Sequence, residues 1–424
     1  MSRVTAVHGR QVLDSEGYPT VEVEVTLASG ARGRCAVPAG ASAGPHEAVA
    51  LRDGGSQWSS MGVTTAVRAV ADEIAPNLLG CDAHPQSAID RTLVALDGTP
   101  NKSRLGANAL LATSLAVARA VAAEAGEPLW RYLGGHGAVR MPVPMLDVLN
   151  GGVHASNRLD FEEFMIVPAG ASSFSEALRM ATEVFHELRY TLLGSGHGAA
   201  LGAGGGFAPD LASNEAAIET LLTAIARAGY EPGSDLWLGI DAAATELLDS
   251  GGYWLAHEGQ RLTAAQLVDY YDRLAARYPL LVLEDGLADE DWNGWQLLTA
   301  RLGERVELCG DDLFATAAAR LGQGIRDGVA NAIVIKPNQV GTLTETLETI
   351  SVAHARGYAA VIAHRAGETE DTTICDLAVA TGSGQIKAGA PARERAAKYN
   401  RLLRIEEALG ESAVFPGISA FSTP

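Results

Sequence analysis

The chain has 424 residues and a formal net charge of −19, an acidic balance that excludes nucleic-acid binding through basic patches. Hydrophobic residues make up 47% and charged residues 20%, so a sizeable core is available. No apolar stretch reaches the roughly 20 residues of a membrane span, and the opening MSRVTAVHGRQVLDSEG lacks the apolar segment of a secretory signal; a cytoplasmic protein with no membrane partner is expected.

The first 135 residues read as a small α+β domain. TVEVEVTL (20–27) alternates as a half-buried strand does, and RGRCAVPAG (32–40) reads as its hairpin partner. Helical patterns follow at 63–80 and 106–126, the second apolar nearly all round and therefore expected in the core. The Gly- and Pro-rich PLWRYLGGHGAVRMPVP (128–144) marks a domain boundary. From residue 136 to 424 the rhythm changes: short apolar runs end abruptly in polar residues, and most are followed by helical stretches. WLGID ends at Asp241, LLVLED at Glu284 and Asp285, VELCGDD at Asp311 and Asp312, NAIVIK at Lys336, AAVIAHR at His364 and Arg365, and GQIK at Lys387. The steps from Glu284 to Lys387 are 27, 25, 28 and 23 residues, one strand and one helix each. This predicts the α/β class: parallel βα units closed into a barrel whose mouth, at the C-terminal strand ends, is the site. No GxGxxG follows a strand and no P-loop is present, which disfavours nucleotide folds. The four cysteines are far apart, without CxxC spacing, and read as incidental thiols.

Asp241, Glu284 and Asp311 end three strands. One such acid is commonly a helix cap, but three brought to one mouth repel unless a cation holds them, and hard oxygen ligands without His or Cys point to Mg²⁺. Only four lysines occur, against 28 arginines, and Lys336 and Lys387 are two of them. Positive surroundings and burial lower a lysine's pKa, which suits either of them to proton abstraction beside a carboxylate. His364 and Arg365 suit an anionic group such as phosphate.

These residues, with DSEGYPTVEVEV, VPAGASAGPHEAVALRD, MPVPMLDVLNGGVHASNRLDFEEFMI, LEDGLADEDW, IKPNQVGTLTE, HRAGETED and GQIKAGAPARERAAKYNRLLRIEE, resemble the enolase family over nearly the whole chain. The resemblance implies an N-terminal α+β domain (1–135) on an eight-stranded βα barrel of TIM type (136–424). It also implies a Mg²⁺-dependent lyase acting on a small anionic substrate, a phosphorylated or phosphonylated glycerate. It assigns Asp241, Glu284 and Asp311 to the first Mg²⁺ and Ser42 to a second. It makes Lys336 the base at C2, Lys387 and Arg365 substrate ligands for carboxylate and phosphate, and His154 and Glu163 substrate-side groups. Glu22 and Arg404 stand where the family forms an intersubunit ion pair, so a homodimer or larger homo-oligomer is expected.

The chain departs from the family at LGAGGGFAP (201–209). Enolases carry Asp-Glu-Gly-Gly where this chain has Ala203, Gly204, Gly205 and Gly206, and the family's general acid is the glutamate replaced by Gly204. Ala366, Ala39 and Ala43 replace further polar groups. The expectation is a cleft with added space beside Arg365, with Glu163 as replacement acid and His154 second. That favours a specialised lyase such as the carboxyphosphonoenolpyruvate synthases of phosphonate antibiotic biosynthesis. The alternatives are an ordinary glycolytic enolase and a catalytically impaired paralogue kept for binding.

Overall fold

The computed structural model describes residues 2–38, 40, 44–202 and 204–422. Ser42, Ala39, Ala43 and Ala203 lie outside the described residues.

Strands β1 (Val4–Leu13), β2 (Pro19–Leu27) and β3 (Arg32–Ala36) form an antiparallel sheet in that order. β1 is not evident from hydropathy, because Val4 is its only fully buried residue. The valine face of β2 is buried, and on its other face Thr20 and Glu22 are buried while Glu24 and Thr26 are half-buried. Val21, Val23 and Val25 pack on the helix Ala107–Glu124. On the other face Glu22 is covered by Arg10 at 2.5 Å and Arg34 at 3.5 Å. At Gly33 the sheet meets the helix backbone: a Cβ there would stand 2.1 Å from the Ala116 carbonyl oxygen and 2.2 Å from the Ala120 nitrogen. Only glycine permits that approach. A further helix, Gln86–Asp97, packs against Ala107–Glu124. Among the described residues no single helix is long and apolar enough to cross a membrane.

The barrel begins with β4 (Val143–Asn150), β5 (Glu163–Val167) and β6 (Trp237–Asp241). A small sheet of β7 (Leu248–Asp249), β8 (Gly252–Leu255) and β9 (Gln260–Leu262) sits in the connection from β6. The barrel continues with β10 (Leu280–Glu284), β11 (Glu307–Gly310), β12 (Ala332–Ile335), β13 (Ala359–Ala363) and β14 (Gly384–Lys387). It closes in the order β10-β11-β12-β13-β14-β4-β5-β6, so the α/β barrel fold is as expected. Its strands are not all parallel, however: β5 runs antiparallel to both β4 and β6. The reason is local. The β4–β5 connection has no crossover helix, only the 3₁₀ turn Gly152–His154, and a parallel return needs such a crossover. Two antiparallel helices, Phe174–Gly194 and Asn214–Arg227, then carry the chain back to β6 in the common direction.

Inside the barrel Met145, Met165, Val282, Cys309, Val334 and Val361 form one buried cluster, joined by Phe421 from the C-terminal segment. The barrel is thus a filled core with its chemistry displaced to the mouth.

Candidate active site

Seven parallel strands present their C-terminal ends at the mouth, and the reversed β5 presents its first residue, Glu163. Glu163 is paired in register with Asn150 on β4 and Asp241 on β6. Lys387, only 5% exposed at its side chain, places Nζ 2.7 Å from Glu163, 3.0 Å from Asp241 and 2.9 Å from Glu284. Lys336, just beyond β12, pairs with Asp311, which also accepts from Gln339 Nε2 at 3.2 Å. Asp285 receives the backbone N–H groups of Asp311 and Asp312, each at 2.9 Å, and so fixes the loop that aims Asp311. Arg365 is held in a two-pronged contact by Glu47 of the N-terminal domain, at 2.6 and 3.2 Å. His364 Nε2 lies 3.1 Å from Asp147. His154 spans two acids, with Nδ1 3.3 Å from Glu163 and Nε2 3.0 Å from Glu162.

All the candidate site residues within the described chain therefore converge on one mouth. Among them, Asp241, Glu163, His154, Asp311, Lys336, His364, Arg365 and Lys387 line a single cleft of about 100 Å³, and Glu284 lies beneath it against Lys387. Several contributors were not evident from the sequence. Glu47 comes from the other domain and carries no local signal. Glu162 adjoins Glu163 in LDFEEFMI; neighbouring strand residues point to opposite faces, but Glu162 precedes β5, and both line the cleft. Arg395 also lines it.

The charges of these groups follow from their contacts. Burial alone would lower Lys336, but the Asp311 carboxylate outweighs it and raises the ammonium above its ordinary range. Lys336 is therefore not a depressed lysine here, because its nearest partner is an anion. Burial would raise Glu163, but Lys387 and His154 outweigh it and hold the carboxyl well below its usual range. Glu163 is therefore ionised beside Lys387 and His154. The protonated groups are its neighbours. Glu162 is pushed up to about 8 by burial and by the Asp241 charge. His154 rises to about 9 because its carboxylate neighbours, Glu163 first, override burial. His364, deep beside β13, is driven well below its usual value by burial and then by Arg395, and is neutral.

The expectation of added space also needs correcting. A Cβ on Gly204 would stand 2.8 Å from Asn150 Nδ2 and 3.3 Å from Glu163 Oε1. The loop has settled onto β4 and β5, so the missing side chain leaves contact rather than a void. Beside Arg365, Glu47 and Gly40 fill the surroundings: a Cβ on Gly40 would lie 3.2 Å from Nη2.

A filled barrel with a lysine on one rim, acids on the facing rim and three carboxylates between them defines an acid–base lyase of the βα-barrel class. A family profile described as "Enolase, N-terminal domain" matches residues 4–133, and one described as "Enolase, C-terminal TIM barrel domain" matches residues 138–423. A protein named "Enolase" from Acidothermus cellulolyticus is 56% identical over 422 residues, covering 99% of this chain and 98% of the relative. The chain belongs to the enolase family and is a hydro-lyase of that family.

Proposed function

We propose that the chain takes the C2 proton from 2-phosphoglycerate, or a close analogue, and expels the C3 oxygen as water to give a phosphoenolpyruvate-type product. One observation carries this reading. Lys336 follows β12 and Glu163 opens β5, four places apart in a ring of eight strands. A base on one rim and proton donors on the facing rim serve the two faces of one substrate, as an elimination with a poor leaving group requires.

Lys336 is the base. Its proton is held by the pairing with Asp311, which would be given up if that carboxylate held a metal ion. Lys387 receives the substrate carboxylate and the charge that develops on it. Arg365, with neutral His364 beside it, takes the phosphate once that group displaces Glu47. His154 and Glu162 supply the proton for the leaving oxygen, and ionised Glu163 orients His154.

Asp241, Glu284 and Asp311 would hold Mg²⁺, and Ser42 a second ion by resemblance alone. The donor set fits: all three are carboxylates, lysine ammonium groups now sit against them, and Glu284 Oε1 is buried without a hydrogen-bond partner. Bound there, Mg²⁺ supplies stabilisation for negative charge on the substrate carboxylate.

The 56% identity to a protein named Enolase favours the ordinary 2-phosphoglycerate substrate. The carboxyphosphonoenolpyruvate reading finds no support in the comparisons or in the packing around Arg365. The test is incubation with Mg²⁺ and 2-phosphoglycerate in D₂O. Deuterium at C2 and phosphoenolpyruvate in solution are expected; the absence of both would leave a binding paralogue.

A further inference from the structure

His46 has no part in the reaction as described, yet it ties the N-terminal domain to the barrel. It stands on the segment after the N-terminal sheet, one residue before Glu47. Its Nε2 reaches the loop between β10 and the helix Trp292–Leu302, where it lies 2.6 Å from Glu290 Oε1 and 3.8 Å from Asp289 Oδ2. The ring nitrogen and one oxygen from each acid all fall within 4.8 Å of one another.

An ion pair between His46 and Glu290 accounts for two of these groups but not for Asp289. The Asp289 side chain is only 10% exposed, and its carboxylate accepts no hydrogen bond among the described residues. Its one contact is the His46 ring at 3.8 Å, too far for a hydrogen bond. A buried carboxylate left without a partner is costly, and this one is aimed at a ring nitrogen that already meets a second carboxylate. Other groups hold the loop in that shape. Arg320 donates to the Asp289 carbonyl at 2.8 Å, to the Leu313 carbonyl at 2.6 Å and to Glu290 Oε1 at 3.0 Å. Thr245 Oγ1 accepts from the Asp289 N–H at 3.1 Å. Glu290, with its side chain 61% exposed, leaves the group open to solvent on one side. One imidazole nitrogen with two carboxylates suits a divalent transition metal, with water completing its coordination, rather than Mg²⁺, which prefers oxygen alone.

We infer that His46, Asp289 and Glu290 bind a divalent transition ion of the Zn²⁺ type, apart from the barrel mouth, and that the ion fastens the N-terminal segment to the barrel. The consequence lies in the next residue. Glu47 occupies Arg365, and the Gly44 N–H donates to Glu47 Oε1 at 3.1 Å. An ion on His46 holds this segment in place and so keeps Glu47 on the guanidinium that the substrate phosphate must take. This inhibitory consequence, unlike the site, rests on the phosphate role of Arg365 given above.

The experiment measures Zn²⁺ binding by equilibrium dialysis on the Mg²⁺-loaded protein, and KM for 2-phosphoglycerate with and without Zn²⁺. The unaltered chain is compared with His46→Gln, Asp289→Asn and Glu284→Gln. One Zn²⁺ per chain should persist in Glu284→Gln, which disables the mouth. Its affinity should fall in His46→Gln and Asp289→Asn by at least the roughly 10–100-fold that losing even an outer-shell partner costs. Zn²⁺ should raise KM in the unaltered chain and leave it unmoved in His46→Gln. Equal Zn²⁺ binding by the unaltered chain and His46→Gln, or binding lost only in Glu284→Gln, overturns the site. Zn²⁺ bound through His46 with KM unmoved overturns the hold on Glu47 and leaves the elimination reading standing. If 2-phosphoglycerate shows neither exchange nor turnover while Zn²⁺ binding still depends on His46, the elimination reading fails and the site stands.

Discussion

On the β5 rim, burial raises Glu162 and the neighbouring carboxylates raise His154. Glu162 holds its proton to about 8 and His154 to about 9. If these groups protonate the leaving oxygen, kcat on 2-phosphoglycerate falls as pH rises through that window. His154→Gln should lower kcat by about 10²–10⁴-fold, the usual worth of a general acid. Glu162→Gln should remove the lower part of the alkaline limb while C2 exchange persists, because exchange needs only the base. An unchanged alkaline limb in both variants would assign the proton to another group. Much of this rim was readable from residue types: Asp241, Glu284, Asp311, Lys336, His364, Arg365 and Lys387 all stand at strand ends, where a run of apolar residues stops. The charge states were not readable. They depend on which residue lies 3 Å from which, and Asp311 beside Lys336, or Glu163 between Lys387 and His154, is a tertiary fact. Glu47 is the clearest case, since it reaches Arg365 from the other domain.

At the scale of elements, period and spacing revealed the parallel βα units because each repeats strand and helix in fixed register. They did not reveal β5, whose reversal depends on the connection before it lacking a helix. They did not reveal β1 either, because its residues are mostly exposed or half-exposed. Two predictions belong here. Gly33→Ala places a methyl against the backbone of the helix Ala107–Glu124, which cannot yield as a side chain can. A loss of about 1–3 kcal/mol or more in denaturant unfolding is expected; an unchanged midpoint would contradict the contact. Glu307, at the start of β11, accepts from Gln385 at 3.0 Å and from the Ser422 N–H at 2.8 Å, with Oε1 buried and unpartnered. Burial raises it from 4.5 to about 7. The folded state therefore keeps a proton that the unfolded chain releases, and its contribution to stability declines as pH rises from 4.5 through 7, levelling above that. Glu307→Gln should flatten this decline, by on the order of 1–3 kcal/mol between pH 5 and 8. The same slope in variant and parent would place the titration elsewhere.

The whole molecule gathers buried carboxylates at one mouth and opposes them with a few cations, so a divalent ion that binds there binds the folded state alone. Mg²⁺ should raise Tm, with about 2.7 kcal/mol of stabilisation at a hundredfold excess over Kd, and Glu284→Gln should abolish the shift. Arg404 is exposed, while Glu22 is satisfied by Arg10 and Arg34 within the chain. A homodimer that uses Arg404 should sediment as a monomer when Arg404 is replaced by Glu, and an unchanged sedimentation coefficient would remove that contact. The elimination chemistry rests most directly on Lys336. The decisive measurement is C2 deuterium exchange into 2-phosphoglycerate with Mg²⁺, comparing the unaltered chain with Lys336→Ala. Exchange in the parent and a loss of about 10²–10⁴-fold in the variant are expected for a base. Equal exchange in both would contradict Lys336 as the group that takes the proton.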